Sequence, residues 1–275
     1  MTSNSLGSIT LFTGDAMSLP FPDNSIDLII AHPPYITLDI NRYGGDVSKQ
    51  LNSKNSKKEM LKNLAKVTKE AYRLLKNNGS FIIANGEFLN LDVRYLLQTI
   101  DESDFNYLGK MLQNDYDKPT NTDHQTSERI VTQSITTWYH FVKGDEPFTN
   151  PFKVKKYNNP VWDMPFSNME NPVDLWISES YQYVIDAMNQ EIPKRFIEMF
   201  SKKGHLVLDM FGGTGVTATM AAFLGRDSIS NDISEDATKA AELRLMLTFG
   251  EKYFNEKVKV VKNEKLKNKK LGVKR

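Results

Sequence analysis

There is no cysteine among the 275 residues. That excludes a disulfide framework and any zinc or iron–sulfur site built on thiolates, and it fits a reducing compartment. No apolar run is long enough to span a bilayer, and Met1-Thr2-Ser3-Asn4-Ser5 lacks the basic and apolar regions of a secretory leader. The expectation is a soluble, cytoplasmic protein with no membrane partner. An excess of charge of one sign is also missing, since the formal net charge is +1. The sum hides a cationic end, in which Lys257, Lys259, Lys262, Lys265, Lys267, Lys269, Lys270, Lys274 and Arg275 face only Glu256 and Glu264. Such a stretch suits either a polyanion partner or a merely solvated terminus. The remainder is ordinary for a soluble globule, with 40% hydrophobic and 25% charged residues, and is long enough for one large α/β domain with an insertion or for two small domains.

Taken in order, the chain alternates strand and helix signals. Ser8–Phe12 reads as a strand, with Thr13-Gly14-Asp15-Ala16 as its turn, and Ser25–Ile30 has the branched apolar core of a buried parallel strand. Ala31-His32-Pro33-Pro34-Tyr35 follows. Two prolines cannot donate to a ladder, so the strand must stop there, holding an aromatic ring at its carboxyl end, the rim where open α/β sheets bind ligands. The polar stretch Asp39–Lys58 reads as a lid or substrate-contacting loop. Glu59–Lys76 reads as a helix, Ser80–Ala84 as a buried strand and Leu89–Ile100 as a helix, an alternation that predicts a parallel sheet. Between Asn114 and Glu128 the pattern is polar and aperiodic, Ile130–Val142 is strand-like, and Glu146–Ser180 is proline-rich and irregular. This middle is read as an insertion or substrate-recognition region, the alternative being a segment that packs over a sheet edge.

Periodicity then returns. Pro193–Phe200 reads as a helix, His205–Asp209 as a strand, Met210–Gly215 as a tight glycine-rich turn, Val216–Leu224 as a helix, Ser228–Asn231 as a strand ending at Asp232, and Glu235–Leu247 as a helix. A strand, a glycine-rich turn, a helix and a second strand tipped by an acid form a nucleotide-type cofactor unit. The glycines admit close backbone approach, the helix amino end favours an anionic group, and Asp232 can accept from ribose hydroxyls. The spacing Gly213-x-Gly215-x-x-Ala218 keeps a dinucleotide reading formally open. Against it, Asp209 just before the turn would repel a pyrophosphate and suits an ammonium or hydroxyl ligand.

The two motifs together resemble those of the amino-group DNA methyltransferases, which use S-adenosylmethionine. The cofactor pattern Asp-x-Phe-x-Gly-x-Gly-x-Thr is matched by Asp209, Phe211, Gly213, Gly215 and Thr217, and the Pro-Pro-Tyr motif with its preceding polar residue by His32, Pro33, Pro34 and Tyr35. With the catalytic motif upstream, the order resembles the permuted β class. The resemblance implies a circularly permuted Rossmann-like class I methyltransferase fold, a mostly parallel sheet flanked by helices, with an irregular target-recognition insertion. It divides the chain into a catalytic half (1–113), a candidate recognition region (114–188), a cofactor-binding half (189–250) and a basic tail (251–275). It further implies S-adenosylmethionine as cofactor, double-stranded DNA as substrate, and a homodimer and a cognate restriction endonuclease as partners. By the same resemblance Asp15 and Ala16 lie near the adenine ring, although Asp15 equally suits a simple turn.

In such an enzyme the exocyclic amino group of a flipped base donates to the position-32 side chain and the Pro33 carbonyl, and Tyr35 stacks on the base. The family usually carries Asp or Ser where this chain has His32. A neutral imidazole can accept from an amino group and an imidazolium cannot, so activity is expected to rise with pH through a histidine titration near about 6.5. The non-acidic residue at 32, Tyr43-Gly44-Gly45-Asp46 and Asn85-Gly86-Glu87 lean toward cytosine N4 over adenine N6. Two other readings stand beside this one: a non-catalytic DNA- or cofactor-binding subunit that keeps the fold, and an RNA amino-methyltransferase.

Overall fold

The computed structural model describes residues 6–34, 57–86, 103–115, 135–164, 173 and 188–263. Tyr35, the loop from 39 to 56, the expected helix 89–100 and nearly all of the aperiodic middle at 116–134 and 165–187 lie outside the described residues.

Among the described residues nine strands form one sheet: β1 (Ile9–Thr13), β2 (Ile26–Ala31), β3 (Leu75–Gly86), β4 (Asn106–Asp115), β5 (Ile135–Val142), β6 (Val161–Met164), β7 (Leu206–Asp209), β8 (Asp227–Asp232) and β9 (Val258–Lys262). Their spatial order is β6-β4-β5-β3-β2-β7-β8-β1-β9. All pairings are parallel except those of β5, which runs against both β3 and β4. The mostly parallel α/β sheet expected of a class I methyltransferase is therefore present.

Alternation along β2 explains the layering. Ile29 and Ala31 point into a core shared with helix α1 (Lys57–Leu74), where Met60, Leu64, Val67, Ala71 and Leu74 recur at helical spacing. Leu28 and Ile30 point the other way, against α3 (Glu191–Phe200) through Ile192, Phe196 and Ile197. A third cluster joins Ile9 and Leu11 of β1 to Ala218 and Ala222 of α4 (Val216–Phe223) and Ala241 and Leu245 of α5 (Glu235–Phe249). Because β2 is buried on both faces, it reads as a continuous apolar run broken only by Asp27. That carboxylate accepts the Leu206 N–H at 2.9 Å and the Lys76 ammonium at 2.9 Å, joining β2 to the starts of its two neighbours.

Three boundaries differ from the sequence reading. Helix α1 stops at Leu74 rather than Lys76, since Leu75 already pairs with Ile26 in the sheet. Within the expected recognition region, 135–142 is the strand its strand-like pattern announced, but 161–164, read as irregular, is also a strand; both belong to the sheet itself, anchored by the buried side chains Trp138, Phe141, Trp162 and Met164, with the short α2 (Pro151–Lys156) between them. Nor is the cationic end a tail from its first residue. Residues 251–262 form α6 (Glu251–Lys257) and β9, which pairs with β1 and is pinned by Tyr253, a buried side chain whose hydroxyl donates to the Gly7 carbonyl at 2.5 Å. Lysines on an edge strand discourage further strand pairing, and this is why β9 resembles a solvated segment in sequence.

Candidate active site

The two motifs meet at the middle of the sheet. Strands β2 and β7 are hydrogen-bonded neighbours with Ile30 opposite Asp209, and the Met210 N–H extends the ladder to the Ile30 carbonyl at 3.1 Å. His32-Pro33-Pro34 and the turn after Asp209 therefore leave adjacent strand ends, roughly 5 Å apart at their bases. From β2 the chain crosses by α1 to β3 on one side, and from β7 it crosses by α4 to β8 on the other. The strand order reverses between them, which is where an open α/β sheet forms its ligand crevice.

On the β7 side, Asp209 is 3% exposed and faces α4. It accepts from the Thr217 hydroxyl at 2.5 Å and from the Phe211 N–H at 3.0 Å. Burial pushes its carboxyl up to about 6, with those two donors opposing and the Asp232 charge adding slightly. Thr217 is thereby tied to Asp209 through its hydroxyl. The glycines have separate tasks. Gly213 (φ +49°) and Gly215 (φ +79°) take left-handed conformations, and the Gly215 N–H closes the turn onto the Gly212 carbonyl at 2.8 Å. Gly212, which the spacing did not single out, donates to the Asn231 carbonyl at 2.7 Å, and a Cβ there would sit 2.0 Å from the Ser230 hydroxyl oxygen. Phe211 is half-buried and packs on the α1-side core.

Asp232, at the tip of β8, accepts from the Gly213 N–H at 3.0 Å and the Ser234 N–H at 2.9 Å. Its carboxyl is raised by burial and held down by those backbone donors. Its carbonyl accepts the Gly14 N–H at 2.9 Å, which brings the Gly14-Asp15-Ala16 loop beside it. Asp15 behaves as a turn aspartate, its Oδ1 accepting the Met17 N–H at 2.9 Å, and Ala16 is buried. Asp15 thus caps its own turn at the edge of the crevice.

On the β2 side, His32 continues the phase of Leu28 and Ile30 and so faces the α3 layer. Its ring lies 5.3 Å from that of Trp138, which is fully buried and packs in turn on Phe196 at 5.3 Å. Trp138 belongs to β5, opposite Ala84 of β3, and the small Ala84 side chain leaves room for the indole to reach toward β2. The indole N–H donates to Gln113 at 3.0 Å. Pro33 is buried and Pro34 partly exposed, while Tyr35 lies outside the described residues. Trp138 and Gln113 carry no motif, and only their strand positions bring Trp138 to His32 and Gln113 to Trp138.

A central crevice at a strand-order reversal, with a buried acid, a glycine turn and a Pro-Pro strand end, defines the Rossmann-like class of group-transfer folds. The profile of the DNA methylase family, which groups N6 and N4 enzymes, matches residues 26–243, and the chain belongs to that family. Type II methyltransferase M.BamHI of Bacillus amyloliquefaciens is 27% identical over 256 residues, covering 81% of this chain and 54% of that protein. The chain spans about half to two thirds of the length of the first curated relatives it matches. Among solved structures, the cytosine-N4-specific PvuII DNA methyltransferase aligns with a TM-score of 0.73 at 20% identity, covering 94% of this chain and 95% of that one. M1.HpyAVI in its complex with SAM aligns at 0.58 and 17% identity, covering 86% and 98%. The last two likenesses concern the fold.

Proposed function

We propose that this chain is an S-adenosylmethionine-dependent DNA methyltransferase that methylates the exocyclic amino group of a flipped base, with cytosine N4 as its target. The observation that carries the reading is the pairing of Ile30 with Asp209, which opens the Pro-Pro motif and the acidic, glycine-rich turn onto one crevice. The cofactor fits on this chain's own terms. Asp209 is a buried carboxylate with a raised pKa, a state that an ammonium partner would relieve. Beyond the backbone donors Gly213, Ile233 and Ser234, the Asp232 carboxylate keeps acceptor capacity for a ribose hydroxyl. The left-handed Gly213 leaves open space where a Cβ would stand, while the missing Cβ of Gly215 lets the turn pack on Ala241 of α5.

When bound, S-adenosylmethionine supplies an electrophilic methyl group. The residues at 32–34 prepare the acceptor. The neutral His32 imidazole and the Pro33 carbonyl accept hydrogen bonds from the two amino N–H groups, which localises the nitrogen lone pair, the stiff Pro33-Pro34 unit keeps that carbonyl in place, and the single proton lost after methyl transfer leaves toward the imidazole or solvent. Tyr35 supplies a stacking face for the flipped base. A non-acidic acceptor at position 32 is the ground for preferring cytosine. A homodimer and a cognate restriction endonuclease, cytoplasmic residence, and a recognition role for the segments between β4 and α3 belong to the same proposal. Among the described residues no helix is long and apolar enough to cross a membrane.

The test is transfer of a labelled methyl group to duplex DNA followed by nucleoside analysis, with N4-methylcytosine expected and His32→Ala expected to cut transfer at least tenfold while cofactor binding is kept. N6-methyladenine would overturn the base assignment. Label in RNA alone would overturn the DNA substrate in favour of an RNA amino-methyltransferase, and tight cofactor binding without transfer to any polymer would overturn the enzyme reading in favour of a non-catalytic subunit.

A further inference from the structure

The cofactor turn is gripped from behind by a side chain that no motif points to. Arg244, on α5, is 4% exposed. Its Nε donates to the Thr214 carbonyl at 2.7 Å and its Nη2 to the Thr214 hydroxyl at 3.0 Å. Thr214 is itself 4% exposed and stands between Gly213 and Gly215, both at positive φ. The 214–215 peptide has a Cβ on its Thr214 side only, and because Gly215 lacks one it flips more readily than a peptide between two residues that carry side chains. Here the 214–215 peptide is tied at both ends: its N–H to the Gly212 carbonyl at 2.8 Å and its carbonyl to Arg244. On the other side of the turn the Gly213 N–H is fixed by Asp232. The bidentate guanidinium is therefore what holds the central carbonyl back toward α5 and away from the crevice.

We propose that Arg244 is a positioning residue for the cofactor: by holding the Thr214 peptide in one orientation it sets the affinity of the turn for S-adenosylmethionine. The crevice must not present a carbonyl oxygen where the anionic end of the cofactor approaches the start of α4, and Arg244 prevents that presentation. Lysine would be a partial substitute, having one charged point rather than a planar fork. This rests on the cofactor reading above.

The experiment is calorimetric titration of the full chain with S-adenosylmethionine, together with steady-state transfer kinetics. Arg244→Met is expected to weaken binding roughly ten- to hundredfold, the range for losing hydrogen bonds to a charged group, with KM for the cofactor raised and kcat at saturation largely kept. Arg244→Lys should recover part of that loss, and Thr214→Val should cost about threefold and add little to Arg244→Met. Leu245→Ala is the control, since it removes a neighbouring buried side chain of α5 and should lower Tm without changing the dissociation constant. Binding by Arg244→Met within twofold of the unaltered chain, or an equal loss in Leu245→Ala, would overturn the proposal. If Arg244→Met fails to fold, Arg244→Lys against Leu245→Ala decides it. Failure of the unaltered chain to bind would instead overturn the cofactor reading itself.

Discussion

Asp209→Asn should make the ligand-free protein more stable and the liganded one less so. The carboxyl lies at about 6 in the fold against an ordinary 3.8, because burial penalises its charged form. At pH 7.5 it is ionised in both folded and unfolded chains, so the native state carries a penalty of about 3 kcal/mol at most. Asparagine removes the charge and keeps the bonds. Its carbonyl oxygen can accept the Phe211 N–H, and its amide can donate to a rotated Thr217 hydroxyl. For a chain of this size the ceiling corresponds to a rise in Tm of roughly 6–12 °C.

The sign in pH follows. The penalty is complete above about 6 and is relieved as protons bind between about 6 and 4, so the gain of Asp209→Asn over the unaltered chain should vanish by about pH 4. Binding runs in the opposite sense. Protonation of Asp209 removes the partner of the cofactor ammonium, so affinity measured without DNA should fall as pH drops below about 6, and the asparagine variant should bind weakly at every pH. Omitting DNA separates this titration from that of His32. Thermal unfolding and calorimetry across pH 4–8 check both limbs. A variant less stable than the unaltered chain at pH 7.5 without ligand, or one that binds S-adenosylmethionine equally well, would refute the reasoning.

Gly212→Ala places a Cβ 2.0 Å from the Ser230 hydroxyl oxygen and 3.1 Å from the Ser230 Cβ. Turning the hydroxyl away cures only the first contact, so the turn must shift; a loss of about 1–3 kcal/mol in stability and at least tenfold in cofactor affinity is expected, with partial recovery when Ser230→Gly is added, read by thermal unfolding and calorimetry. Ending the chain after Gly250 removes Tyr253 and bares the β1 edge. Loss of the buried aromatic alone should cost about 3–5 kcal/mol, and light scattering should report association through the bare edge.

Much of the fold is legible because local pattern and burial coincide in it. The alternation of β2, the spacing of α1 and the glycine turn before α4 all answer to a period or a turn that a few consecutive residues declare. Strand β4 was not legible, since Asn106, Lys110 and Asn114 interrupt any apolar run and its pairing with β5 carries the assignment. Strand β6 is four residues long, and β9 displays lysines for the reason that edge strands do. At the site, Asp209 and the glycines are declared locally. The Trp138 support of His32 depends on the order of β2, β3 and β5 in space, and the Arg244 grip on the face that α5 turns toward Thr214; neither follows from neighbours in the chain.

The bond from the Leu206 N–H to the Asp27 carboxylate links residues 179 positions apart, and the Tyr253 hydroxyl reaches back 246 positions to Gly7. Contacts of that separation are the slowest to form, since the intervening loop must be closed before they repay its entropy. At ordinary rates of synthesis, about 5–20 residues per second, β2 waits on the order of ten to forty seconds for β7 to be made. Throughout that interval the Pro-Pro strand end exists without its cofactor turn. A nascent or prematurely ended chain therefore has half of the crevice, and the methyl transfer proposed above would have to await the last third of the protein.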